Sequence, residues 1–267
     1  MPFVSTPGIR MWLTEAGQGD PLLLIMGITA PGSVWAKHTA AWQHSFRCLM
    51  PDNRGVGRSG RPAGPYTTAV MADDHAALLD ALGIPRVRVV GVSMGGAIAQ
   101  QLALRHPKKV QRLVLCCPWA RCDVQAVQTF AHLVACRRRM APGEFAGFLQ
   151  WLIFSTDTWR DPGFQAEAAN VRRKAGQAKP SQSIANLVAQ AAACVSHDTL
   201  AELSRITCPT LVLGGQEDRF TPPWMAREVA AGIPGSSLHL YRGAGHAFHW
   251  ERLQDFNQRV ATWLKAS

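Results

Sequence analysis

The stretch that most constrains the fold is Val87-Arg88-Val89-Val90-Gly91-Val92-Ser93-Met94-Gly95-Gly96-Ala97-Ile98-Ala99-Gln100. A β-branched apolar run enters a tight turn with a serine at its tip, and a helical pattern leaves it. Gly91, Ser93 and Gly95 occupy the fixed places of a G-x-S-x-G motif. Glycines two before and two after the serine let strand and helix approach without an intervening Cβ. The serine can then hold a strained backbone with its hydroxyl projecting from the sheet. The helix N-terminus behind it directs free N–H groups and a positive dipole end at the same place. Such a turn suits an alkoxide nucleophile and an adjacent oxyanion. By itself the motif also fits an ordinary strand-to-helix turn with a surface serine.

The neighbouring segments predict the sheet that such a turn needs. Phe3 to Ser5 and Arg10 to Glu15 read as an antiparallel edge pair around Pro7-Gly8. Pro21 to Met26 reads as a strand buried on both faces, and Arg47 to Met50 as a shorter one. Helical patterns over Val34 to His44 and from Thr67 or Thr68 to Leu82 alternate with these strands. After Val110 to Cys116 the alternation stops, and four helical patterns occupy Val124–Cys136, Pro142–Ser155, Gln165–Lys174 and Gln182–Cys194. Strands return at Thr210–Gly214 and Ser237–Tyr241, with helices at Pro222–Ala231 and from about Glu251 to Lys265. The expected fold is α/β, with a mostly parallel central sheet of about eight strands and helices on both faces. Residues 1–119 and 203–267 form its core, and residues 120–202 a helical cap insertion.

A serine becomes a nucleophile when a base takes its proton and a third group orients that base. His246 lies in Gly243-Ala244-Gly245-His246-Ala247-Phe248, a flexible turn after the last strand, and is the candidate base. His249, His239 and His75 fall within helices or strands and are the blander alternatives. Asp218 follows the strand Leu211 to Gly214 and precedes a proline-started helix, which makes it the orienting acid, with Glu217 as its rival. Cys116 and Cys117 end an apolar run and read as packing residues.

In these residues the chain resembles the α/β-hydrolase fold superfamily over essentially its whole length. The order Ser93, Asp218, His246 is the order of that layout. The resemblance implies an oxyanion hole made by the backbone N–H groups of Met94 and Ile28. The segment Asp52, Arg54, Gly55, Gly57, Ser59 is similar to the family's D-x-R-G-x-G-x-S loop, whose expected role is bracing. Where many members have His-Gly after the third strand, this chain has Met26-Gly27, similar to lactonase- and methylesterase-like branches. The resemblance implies hydrolysis of a carboxylic ester or lactone through an acyl-enzyme. C–C bond hydrolysis, acyl transfer, perhydrolysis or a non-catalytic small-molecule binder are the alternatives on the same fold.

Composition narrows the partners. The chain is 47% hydrophobic and 17% charged over 267 residues, as a globular domain should be. Its net charge of +10 raises nucleic acid as a partner, but the basic residues are spread along the chain rather than gathered in an arm. Nucleic acid is therefore not an expected partner, and a mild pull on anionic substrates stays open. No membrane association is expected, because no apolar run approaches bilayer length. Seven cysteines without a C-x-x-C pair, and an N-terminus without a signal pattern, predict a cytoplasmic protein. Neither a metal nor a cofactor is implied, and the oligomeric state is open. A small to medium, partly apolar substrate would meet Gly27, Trp119, Trp151, Phe154, Trp159 and Phe248.

Overall fold

The computed structural model describes residues 2–178 and 180–266 and opens with two antiparallel strands, β1 (Phe3–Ser5) and β2 (Arg10–Ala16). Strands β3 (Asp20–Ile25) and β4 (Phe46–Pro51) follow, separated by a 3-10 turn at Gly32–Trp35 and helix α1 (Ala36–Trp42). Helix α2 (Thr68–Ala81) leads to β5 (Val87–Val92), α3 (Met94–Arg105) and β6 (Val110–Cys116). The chain then runs through α4 (Val124–Arg139), α5 (Pro142–Ile153), the short α6 (Thr156–Trp159), α7 (Pro162–Gln177) and α8 (Ile184–Val195). Strand β7 (Thr210–Gly215), α9 (Pro223–Gly232), β8 (Ser237–Tyr241), α10 (Phe248–Glu251) and α11 (Leu253–Lys265) complete it.

The eight strands form one sheet in the order β1-β2-β4-β3-β5-β6-β7-β8. From β4 to β8 every pairing is parallel, which fits the continuous apolar runs of those strands. The expected N-terminal edge pair is only half an edge: β2 also pairs with β4, Leu13 facing Pro51, and β1 alone is outermost. Alternate residues of each central strand enter two separate cores. Leu23, Ile25, Val87 and Val89 pack with α2 and α3, through residues such as Met71, Leu78, Ile98 and Leu102. Leu22, Leu24, Val90 and Val92 pack with Trp35, Trp42, Phe256 and Val260 on the other face.

From β3 the chain steps one way to β4 and then returns to β5 on the other side. The carboxyl ends of β3 and β5 therefore form the crevice where ligands of open α/β sheets bind. Gly27 follows one of these strands and Ser93 the other.

Thr67 caps α2, its side chain accepting the Val70 N–H at 3.0 Å. The expected helix over Val34 to His44 is shorter, its first residues Val34 and Trp35 belonging to the 3-10 turn and the helix ending at Trp42, and Gly32 passes against strand β4. A Cβ at Gly32 would lie 2.5 Å from the Met50 carbonyl oxygen, and the chain enters α1 through the 3-10 turn.

Four histidines are buried as neutral rings, and burial holds one of them, His249, well below its ordinary value. Burial pushes His75 down to about 3. It also pushes His38 and His197 down to about 4. The unfolded chain protonates each near pH 6.5, whereas the folded chain refuses the proton until far lower pH. Folding stability is thus fully present above about pH 6.5 and falls as pH drops toward 4, by about 1.4 kcal/mol per pH unit for each histidine. Urea melts between pH 7.5 and 5 should show this decline, and His75→Gln should lessen its slope by one histidine's share. A stability that is level across that range would contradict these buried neutral rings.

Candidate active site

Ser93 is the hinge between β5 and α3, at φ 57° and ψ −122°. A non-glycine residue there carries strain of about 1–3 kcal/mol, which the surrounding packing must hold. The two motif glycines show how it is held. A Cβ on Gly91 would lie 2.3 Å from the Gly95 carbonyl oxygen, and one on Gly95 would lie 2.1 Å from that of Ile25. Strand and helix are therefore in contact through backbone alone. The Ser93 N–H donates to the Cys116 carbonyl at 2.8 Å, tying the turn to the end of β6. Ser93 itself is 4% exposed.

Asp218 and His246 meet beyond β7 and β8. The His246 Nδ1–H donates to Asp218 Oδ2 at 2.7 Å, and both side chains are buried. That bond assigns the tautomer and leaves Nε2 as the acceptor nitrogen. The other carboxylate oxygen, Oδ1, accepts the N–H groups of Phe220 at 2.8 Å and Thr221 at 2.9 Å. Thr221 Oγ1, 3.0 Å from Asp218 Oδ2 and 3.1 Å from His246 Nδ1, supports the same pair. The Phe220 ring lies 5.0 Å from the imidazole. The rival Glu217 turns away, its carboxylate accepting the Thr156 N–H at 3.3 Å. Among the other histidines, His249 is buried against His38, His75 bonds Asn53, and His239 edges Tyr241 in β8.

Cys117 lies beneath this pair, and its Sγ donates to the His246 carbonyl at 3.1 Å. The metal-binding atoms of Cys117, Asp218 and His246 lie within 4.8 Å of one another. Burial, and after it the Asp218 charge, raise the Cys117 thiol well above its ordinary range. A protonated thiol is a poor metal ligand, and Asp218 and His246 are already bonded to each other. The cluster therefore reads as a brace under His246.

Gly27 passes directly over the serine: a Cβ there would lie 3.2 Å from Ser93 Cβ and 3.7 Å from Oγ. Ile28 is the next residue, buried, and Thr29 follows at φ 71°. Across the crevice, Met94 is in the first turn of α3, where an N–H has no intrahelical acceptor. The Asp52 loop braces the Gly27 segment from below. Asn53 Nδ2 donates to the Met26 carbonyl at 2.8 Å, and Asp52 Oδ1 accepts the Gly32 N–H at 2.7 Å. Arg54 forms a two-toothed pair with Asp74, both bonds 2.7 Å.

Two glutamines that sequence reasoning missed hold the same segment from above. Gln190, on α8 and fully buried, accepts the Thr29 N–H through Oε1 at 3.3 Å and donates from Nε2 to the Arg54 carbonyl at 2.8 Å. Gln182 Nε2 donates to that same Oε1 at 2.7 Å. On the histidine side, Glu251 accepts the Gly245 N–H at 2.6 Å and the Ser155 N–H at 2.7 Å. It thereby ties the start of α6 to the histidine turn.

The aromatic candidates scatter. Phe154 lines an 820 Å³ cavity with Phe164 and Trp250. Trp119 is buried against Phe130 and His197, and Trp159 edges Phe164. Trp151 does not reach the interior. It is 56% exposed because its neighbours Gln150 and Leu152 take the inward faces of α5. Phe248 packs with Tyr241 and Phe256 in the core on the opposite face from α2 and α3. A second cavity, of 350 Å³, is lined by Thr29, Arg137 and parts of α5, α7 and α8. Ala146 and Leu149 line both cavities.

The strained Ser93 follows β5, and the buried Asp218–His246 pair follows β7 and β8, so all three lie at the carboxyl ends of parallel strands in one sheet. Residues 20–253 match the family model for the alpha/beta hydrolase fold, and the chain belongs to that family. The chain is similar to the enol-lactonase from Burkholderia xenovorans LB400, with a TM-score of 0.88, 26% identity and 99% and 100% of the two chains covered. It is also similar to a thermophilic esterase from Thermogutta terrifontis solved with malate bound, with a TM-score of 0.83, 30% identity and 99% and 97% covered. A chain from Caulobacter sp. (strain K31), provisionally named carbamate hydrolase RutD, is 30% identical over 250 residues, 93% of this chain and 92% of the relative.

Proposed function

We infer that the protein hydrolyses a carboxylic ester or lactone of small to medium, partly apolar character through an acyl-enzyme on Ser93. The observation that carries this reading is the buried, tautomer-fixing bond from His246 to Asp218, on loops that share the carboxyl edge of the sheet with the strained Ser93. The named enol-lactonase and esterase relatives support the same chemistry. In this reading residues 120–202 are a cap over the crevice.

His246 Nε2 takes the Ser93 proton as Oγ attacks the carbonyl carbon. The oxyanion forms between the Met94 and Ile28 N–H groups, where fixed donors act without reorganising. His246 then gives its proton to the leaving oxygen, and the acyl group stays on Ser93 until a water, deprotonated by the same nitrogen, releases it. Asp218 stabilises the imidazolium during both steps. The backbone of Ile28 is aimed through Thr29, whose N–H is held by Gln190.

Gln190→Leu keeps side-chain size but frees Thr29 and the oxyanion loop. It is expected to lower kcat on the order of 10- to 100-fold with little change in KM, as for misplaced transition-state donors. An unaltered kcat in a folded variant would remove Gln190 from the account.

Steady-state hydrolysis of p-nitrophenyl acetate and butyrate, and of a panel of simple lactones, tests the reading as a whole. Turnover of at least one class is the expected result. A folded protein inert to all of them, with no covalent adduct, would refute it.

A further inference from the structure

The two cavities under α5 are lined by seven charged side chains, and six of them already have polar partners. Lys37 pairs with Glu167 at 3.3 Å, and Asp157 with Arg160 at 2.9 Å. Asp161 caps α7 through the Gly163 N–H. Glu251 accepts three donors, from Ser155, Thr158 and Gly245. Arg252 donates to the carbonyls of Arg242 and Gly243. The seventh, Arg137, is half-buried over the Phe145 ring, 5.6 Å from its centroid, and among the described residues has no carboxylate or carbonyl partner. A partly desolvated guanidinium without an anion is costly, and its planar fork is matched by a carboxylate.

The cavity that Arg137 lines reaches Thr29, the residue after the oxyanion candidate Ile28. Among the described residues no acidic side chain lines it, and much of its wall is apolar, from Pro142, Phe145, Ala146, Leu149 and Leu187. A carboxylate entering it would meet Arg137 in a charge-assisted hydrogen bond with no acidic side chain of the described lining competing for it. Its 350 Å³ is at the small end of ligand pockets, enough for a short chain ending in one charged group.

We propose that Arg137 binds a free carboxylate on the substrate, so that the preferred substrates are esters or lactones of short dicarboxylic acids. This rests on the hydrolase reading: with the scissile carbonyl at Ile28 and Met94, the acyl chain passes Thr29 and ends at Arg137. The arrangement also gives the chain's positive net charge a local use, since anionic substrates are drawn toward a cavity with an unneutralised cation.

The test pairs two activated esters with the same leaving group, p-nitrophenyl butyrate and mono-p-nitrophenyl glutarate. Wild type should favour the glutarate ester at least tenfold in kcat/KM. Arg137→Met should lose that preference, mainly by raising KM for the glutarate ester, and Arg137→Lys should retain part of it. A second measurement is independent of turnover: calorimetric binding of glutarate to the Ser93→Ala protein, with and without Arg137→Met.

Glutarate affinity that falls at least tenfold on losing Arg137 supports the site even where neither ester is hydrolysed, an outcome that would sink the hydrolase reading alone. Binding that ignores Arg137, or an ester preference unchanged in the folded Arg137→Met protein, overturns the proposal whatever the turnover.

Discussion

Ser93→Ala is expected to reduce ester turnover on the order of 10⁶-fold while leaving the fold intact. The magnitude follows from removing the proposed nucleophile, through which its proposed partners would act. Retention of the fold follows from the local geometry. Alanine occupies the same volume as serine without the hydroxyl, and the strained turn is held by the Gly91–Gly95 backbone contact and the N–H bond to Cys116. The side chain contributes neither of these. Removing a non-glycine side chain's hydroxyl also does nothing to relieve the positive φ, so the variant inherits the same strain. Thermal melting that matches wild type, together with loss of turnover, is the expected pair of observations. Turnover within tenfold of wild type would remove Ser93 from the chemistry.

Asp218→Asn should lower kcat on the order of 10⁴-fold, through the proton on His246 rather than through structure. Asp218 Oδ1 accepts two backbone N–H groups, an arrangement that the amide oxygen of asparagine can reproduce. The amide nitrogen then faces His246 Nδ1 as a donor, where the carboxylate was an acceptor. The imidazole must carry its proton on Nε2 instead, and that nitrogen can no longer take one from Ser93. The expected signature is a large fall in kcat with KM little altered and unchanged thermal stability. A variant that keeps a tenth of wild-type kcat would show that the aspartate only packs.

The candidate catalytic residues were legible because each is marked locally. Ser93 has flanking glycines, His246 sits in a glycine-rich turn after a strand, and Asp218 lies between a strand and a proline-started helix. The sheet was legible for a related reason. Strands buried on both faces leave unbroken apolar runs, as in Leu22 to Ile25, all of which are at 0% exposure. The groups that brace the candidate site were not legible, because they act across the chain. Gln190 and Thr29 are 161 residues apart, and Glu251 and Ser155 are 96 apart. Gln190 did leave one signal: it is a polar residue on the helix stripe of Leu187, Ala191 and Cys194, where an unpartnered amide would be unfavourable. Trp151 and Phe248 stand apart from the cavities for the opposite reason. A tryptophan or phenylalanine near a site satisfies packing as readily as it lines a pocket, and only helix phase separates exposed Trp151 from buried Leu152. Phe248 is adjacent in sequence to Ala247, yet its ring turns into the core with Tyr241 and Phe256.

The most direct measurement is mass spectrometry of the protein quenched during reaction with p-nitrophenyl butyrate, followed by peptide mapping. The account predicts one butyryl group per chain, on the peptide that contains Ser93, and none in Ser93→Ala. Acylation of another residue, such as Cys117, or turnover by a folded wild type with no acyl-enzyme at Ser93, would contradict it.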